Sequence, residues 1–130
     1  MDVEQALYER LKLIVTTVEN RVSAAPAPDS WVVPLVTYQL IGGAPTVTFG
    51  GPQTWWQPSF QVTVWAANYE SMMAVVAQVR SALSGWTATL TGLKVELAWV
   101  ENQRDLQDAT LDPPLVGRAF DVTVSCIGGG

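Results

Sequence analysis

Three carboxylates recur at short intervals, Asp105, Asp108 and Asp112, and aspartates gathered on one loop are the raw material of a calcium site. The spacing lacks the tight alternation and the distal glutamate of an EF-hand loop, so these residues read as a solvated or intersubunit loop. Glu96 and Glu101 could form a carboxylate pair for hydrolysis, but an odd separation along one strand puts them on opposite faces. A nucleophile needs a base that titrates near neutrality, most often histidine, and the chain has no histidine. Its one cysteine, Cys126, has the apolar parity of an alternating strand and reads as a buried, inert thiol. With one thiol and no imidazole, the common zinc sites cannot be assembled within one chain. Gly42-Gly43 and Gly50-Gly51 lack the following Lys-Ser or Lys-Thr and the helix start of a phosphate loop, and are turn glycines. The expectation is a protein that is not an enzyme and carries no cofactor and no metal.

The six tryptophans say more. Trp65 and Trp99 fall in strand-like segments. Trp99 has core parity there, and Trp65 lies opposite the apolar set and serves the other face of a sheet. Trp31, Trp55 and Trp56 sit beside proline- or glycine-rich breaks, where they either pack locally or anchor a partner, as loop aromatics often do. Trp55 and Trp56, with Phe49 nearby, are assigned to subunit or partner contact. So are Arg104, Asp105, Asp108 and Asp112 in the acidic stretch.

The elements that must position these residues follow from periodicity. Val3, Leu7, Leu11, Ile14 and Val18 form one helical stripe, with Asp2 as N-cap and Gln5 to close a capping box, fading over Thr16–Asn20. Ser23–Ser30 is a connector with two prolines. Val32–Ile41 turns β-like, with Pro34 near the strand start. Thr46-Val47-Thr48-Phe49, between two glycine breaks, is a short strand or the rim of a long hairpin loop. Phe60, Val62, Val64 and Ala66 alternate with Gln61, Thr63 and Trp65. Asn68 caps a second helix whose stripe is Met72, Val76, Val79 and Leu83, and Gly85 stops it. Leu93–Val100 and Ala119–Cys126 read as two further strands, joined by a polar loop from Glu101 to Pro114.

The 130 residues suit one compact domain, here 1–130 with extended loops at 42–58 and 101–114. With 48% hydrophobic and 15% charged residues, the chain is too apolar to be disordered. A net charge of −5 and scattered basic residues do not suit tight nucleic-acid binding. The acidic start, Met1-Asp2-Val3-Glu4, does not read as a secretory signal, and no apolar run approaches a membrane span. The expected fold is α+β: a mostly antiparallel sheet of four to five strands, two helices on one face, in α-β-β-α-β-β order.

Val3–Leu11, Pro34-Leu35-Val36-Thr37-Tyr38-Gln39-Leu40-Ile41-Gly42, Phe60–Glu70, Val75–Leu83 and Arg118–Val124 together resemble the tail-completion proteins of long-tailed phages, a group that includes the tail terminators. The segment Phe60-Gln61-Val62-Thr63-Val64-Trp65-Ala66-Ala67-Asn68-Tyr69-Glu70 is the most telling. It resembles the family's strand that ends in tryptophan and a small residue before the second helix. The resemblance implies a virion structural subunit, a homo-oligomer that forms a hexameric ring, stops growth of the tube built by the major tail protein, and meets the head-side connector or stopper. DNA would pass through the lumen without specific binding, and no membrane is involved. The alternatives are a neck stopper or head-tail connector and, in another class, a small-ligand-binding α+β domain with a pocket between helices and sheet.

Overall fold

A computed structural model describes residues 2–14, 18, 21–26, 32–43, 46–47, 54–108 and 115–128, with only the backbone path for Thr46, Val47, Thr54 and Asp108. The elements run α1 (Val3–Ile14), β1 (Val22–Ala24), β2 (Leu35–Gly42), β3 (Thr46–Val47), β4 (Thr54–Trp56), β5 (Ser59–Ala66), α2 (Tyr69–Leu83), β6 (Ala88–Leu90), β7 (Leu93–Asp108) and β8 (Leu115–Gly128).

Both helices start where their caps place them. The Glu4 N–H donates to Asp2 Oδ1 at 2.7 Å, and the Ser71 N–H donates to Asn68 Oδ1 at 2.8 Å. Each bond satisfies an amide that the first helical turn would otherwise leave without a partner. Gly85 follows the C-cap of α2 with φ +76°, a conformation that glycine adopts without a Cβ penalty. The stripe Val3, Leu7 and Leu11 of α1 and the stripe Met72, Val75, Val76, Val79, Ala82 and Leu83 of α2 are buried. They pack in one core with Val36, Phe60, Val62, Val64, Phe120, Val122 and Val124. Alternate residues of a strand point to opposite faces, so this core occupies one face of the sheet and the helices cover that face only.

The sheet is mixed and curled. Its path is β1-β2-β5-β8-β4-β3, with β7 on β8 and β6 on β7. β1 runs parallel to β2, and the other pairs are antiparallel. β4 and β5 lie along the same side of β8: β5 pairs from Val116 to Thr123, β4 at Cys126 and Ile127, and the Val124 N–H bridges to Pro58 O at 3.0 Å. β2 with β3 and β4 with β5 thus make one long hairpin. The second hairpin joins the 16 residues of β7 to the 14 of β8. At about 3.3 Å per residue, β7 spans roughly 50 Å, longer than the diameter of a typical domain of this size.

Two helices in an α+β arrangement match the expectation, but four to five strands do not, since the described residues form a sheet of eight. β1, β4 and β6 have three residues each, too short to register a period of two against proline- and glycine-rich surroundings. The loop expected from Glu101 is strand as far as Asp108. Its polar residues pair across to β8 through a register shift between Glu101 and Arg104, where Asn102 takes φ +52°. Such a bulge hides a strand behind broken alternation. The loop expected over 42–58 is likewise the far end of a hairpin where it is described.

Candidate functional site

The face of the sheet away from the helices carries a second pattern, built across strands. At one end Leu35, Trp65, Gly117 and Leu106 lie side by side on β2, β5, β8 and β7. Next come Thr37, Thr63, Ala119 and Arg104, then Gln39, Gln61, Asp121 and Glu101, then Ser59, Thr123 and Trp99. At the far end Leu97 pairs with Ser125, and Trp55 with Ile127. The face is therefore a polar belt between two apolar ends.

The belt is tied together by side-chain bonds. Glu101 Oε1 accepts from the Trp99 indole N–H and from Thr123 Oγ1, both at 3.1 Å, and Thr123 Oγ1 also lies 3.2 Å from Ser59 Oγ. Asp121 accepts from Asn102 Nδ2 and from Arg104 Nη1, both at 3.3 Å. On the helix side, Arg118 Nε donates to Asp105 Oδ1 at 2.8 Å, and Arg118 Nη2 reaches the Tyr69 hydroxyl at 3.5 Å. The bond to Asp105 holds the guanidinium pKa above its usual value. The β7–β8 hairpin is thereby anchored to the first turn of α2.

The apolar ends differ. Trp65 lies flat against Gly117: a Cβ on Gly117 would stand 2.8 Å from Trp65 Cε3. At the other end Trp55 is 42% exposed and Leu97 46%. The Trp55 indole N–H donates to Ser125 Oγ at 3.2 Å, which fixes the ring while leaving its surface to solvent. Leu40 and Ile41 of β2 are also exposed.

The residues assigned to contact from sequence thus separate. Trp55 lies on the open face. Trp56 is 6% exposed, belongs to the core and donates its indole N–H to Gly128 O at 3.0 Å, so it is withdrawn from any contact surface. Arg104 belongs to the polar belt and Asp105 to the Arg118 pair. Phe49, Asp112, Trp31 and the Asp108 side chain lie outside the described residues. Trp99, expected in the core, is on the open face, because the register shift between Val95 and Leu97 inverts the parity that follows it. The same shift exposes Leu97, which strict alternation hides. Cys126 is buried as expected, and burial, with Glu96 adding to it, pushes its thiol up to about 11. Among the described residues no cluster of His, Cys, Asp or Glu could hold a metal ion, and no helix is long and apolar enough to cross a membrane.

What the arrangement offers is surface: a one-sided sheet, two long hairpins and exposed aromatic and aliphatic side chains. The family model described as "Tail completion protein gp17" matches residues 5–119. The chain belongs to this tail completion family. It is a structural protein of the virion tail. No curated protein matches the chain. Among solved structures, a chain from the "Virion of native gene transfer agent (GTA) particle" is similar over 98% of this chain and 96% of that one, with TM-score 0.76 and 16% identity. At that identity the likeness is one of fold, and it extends across both chains nearly end to end. The family's work is structural.

Proposed function

We propose that the chain is a subunit of a ring that completes the tail: copies close head to tail, cap the tube built by the major tail protein, and present the opposite rim to the head-side connector. The observation that carries this reading is the open sheet face, where Trp55 and Leu97 remain exposed beside a fully packed core. A lone soluble subunit gains nothing from such residues, whereas a subunit buried among neighbours does. A cyclic ring needs two different complementary patches on each copy, and two hairpins on one sheet are suited to supply them. Trp55 is assigned to one contact, and Phe49 with it from the sequence. Arg104, Asp105 and Asp108 of β7, and Asp112 from the sequence, are assigned to another contact or to the lumen. Carboxylates lining a lumen repel phosphate, so that DNA slides through without sticking. A hexamer is the proposed ring size.

The ligand-binding alternative is not favoured, because Leu7, Leu11, Met72, Phe60 and Phe120 fill the space between helices and sheet. The test is assembly of purified tail tubes with and without this chain, followed by electron microscopy. Tubes capped at one end and arrested in length support the proposal. Tubes that elongate unchanged, with no density at their ends, oppose it.

A further inference from the structure

The two hairpins leave two open strand edges, and the hydrogen-bond parity shows which peptide groups face outward. Ala98 fixes the parity of β7. Its N–H donates to Trp86 O at 3.0 Å and its carbonyl accepts from the Gly85 N–H at 2.9 Å, both on the side away from β8. Ala98 pairs with Val124, whose N–H turns the other way to Pro58 O. Antiparallel pairs alternate between facing in and facing out. Val100 opposite Val122, Asp105 opposite Arg118 and Gln107 opposite Val116 therefore share the Ala98 class. Their N–H and C=O groups are aimed at the margin of the sheet, and β6 reaches only as far as Val95. Among the described residues no strand lies beside this stretch.

The opposite margin repeats the situation. The Val36 N–H donates to Arg21 O, and Tyr38 O accepts from the Ala25 N–H, so even-numbered residues of β2 face β1. β1 ends at Ala24, opposite Tyr38. Leu40 is the next residue of that class, and among the described residues no strand lies beside its peptide groups. Leu40 and Ile41 are 43% and 45% exposed. Edges left open in soluble proteins are usually guarded by charge or proline, and Gln39-Leu40-Ile41-Gly42 carries neither.

We infer that neighbouring copies join by strand annealing: the open edge of β7, from Val100 to Gln107, pairs with the open edge of β2 around Leu40 on the next copy, so that the sheet continues across the boundary. The inference rests on the ring reading above and supplies its interface. The ring reading selects this pairing over a two-fold one, since a β7 edge against a second β7 edge is an isologous contact that closes at a dimer. Joining two unlike edges at opposite margins of one sheet is a head-to-tail contact, the kind that closes into a ring.

The experiment uses the full chain in two variants, each compared with wild type for self-association by analytical ultracentrifugation, alone and with tail tubes. Gln107→Pro removes an outward N–H from an exposed residue without touching the ladder to β8, so its urea midpoint should match wild type while association weakens by about tenfold or more. A Leu40→Cys/Gln107→Cys protein should give ladders of oligomers on a non-reducing gel, and neither single variant should give more than traces. An assembled ring without the 40–107 cross-link, and with Gln107→Pro associating normally, overturns the annealed edge and leaves the ring standing. Efficient dimers from Gln107→Cys alone establish the two-fold pairing and overturn the inference. A wild-type chain that stays monomeric, alone and on tubes, overturns both.

Discussion

Gly117 offers a sharp test of how the open face is packed. It lies on β8 between Trp65 of β5 and Leu106 of β7. A Cβ there would come within 2.8 Å of Trp65 Cε3 and within 2.8 Å of the Val64 carbonyl oxygen. The ring has some freedom to tilt, but the carbonyl belongs to the backbone of a strand paired on both sides and cannot yield without shifting β5. Overpacking of this kind costs about 1–3 kcal/mol. For a chain of this size that corresponds to a fall in melting temperature of roughly 3–5 °C per kcal/mol. Gly117→Ala should therefore unfold at lower temperature and lower urea, with an unchanged denaturant slope. Trp65→Ala removes the ring but leaves the carbonyl, so the alanine should cost less in that background and still cost something. The double-mutant cycle reads the difference directly. A Gly117→Ala protein as stable as wild type, or one equally destabilised with and without the Trp65 ring, refutes this packing.

Four further outcomes are expected. Trp56→Phe removes the indole N–H bond to the half-buried Gly128 carbonyl and should lower stability by about 0.5–1.5 kcal/mol in urea, whereas Trp55→Ala should leave monomer stability nearly unchanged and weaken association in sedimentation. Asn68→Ala removes the cap on α2 and should cost about 1 kcal/mol, read by urea unfolding at 222 nm. The Cys126 thiol is raised from 9.0 to about 11 in the folded chain, so the unfolded chain loses its proton first. The contribution is fully present below pH 9 and declines between pH 9 and 11, and urea midpoints in Cys126→Ala should fall less over that interval than in wild type.

How much was legible in the sequence depended on period and on neighbours. Both helices were readable because their stripes recur without interruption and Asp2, Asn68 and Gly85 mark their ends. β2, β5 and the second half of β8 were readable because a covered face against an open one enforces alternation. The far half of β7 was not. A bulge at Glu101–Arg104 and a register shift at Val95–Leu97 break the period, and pairing with β8 supplies what local propensity lacks. The same shift moved Trp99 and Leu97 onto the open face. Trp55 and Trp56 looked alike in sequence. Their opposite fates follow from adjacency on a strand: one must point inward and its neighbour outward. The polar belt of Ser59, Glu101, Asp121 and Thr123 is assembled from three strands, and no local spacing announces it. The exposed pair Leu40-Ile41 did leave a signal, two large apolar residues in succession at a strand end, where strict alternation allows only one to be covered.

The central claim is that this chain acts as a closed assembly and not as a lone subunit. Native mass spectrometry of the full chain, over a range of concentrations and in the presence of tail tubes, tests it most directly. One discrete oligomer is expected, six copies if the ring has the proposed size, with no open series of larger species. A single copy under every condition, or an unbounded ladder of lengths, contradicts it.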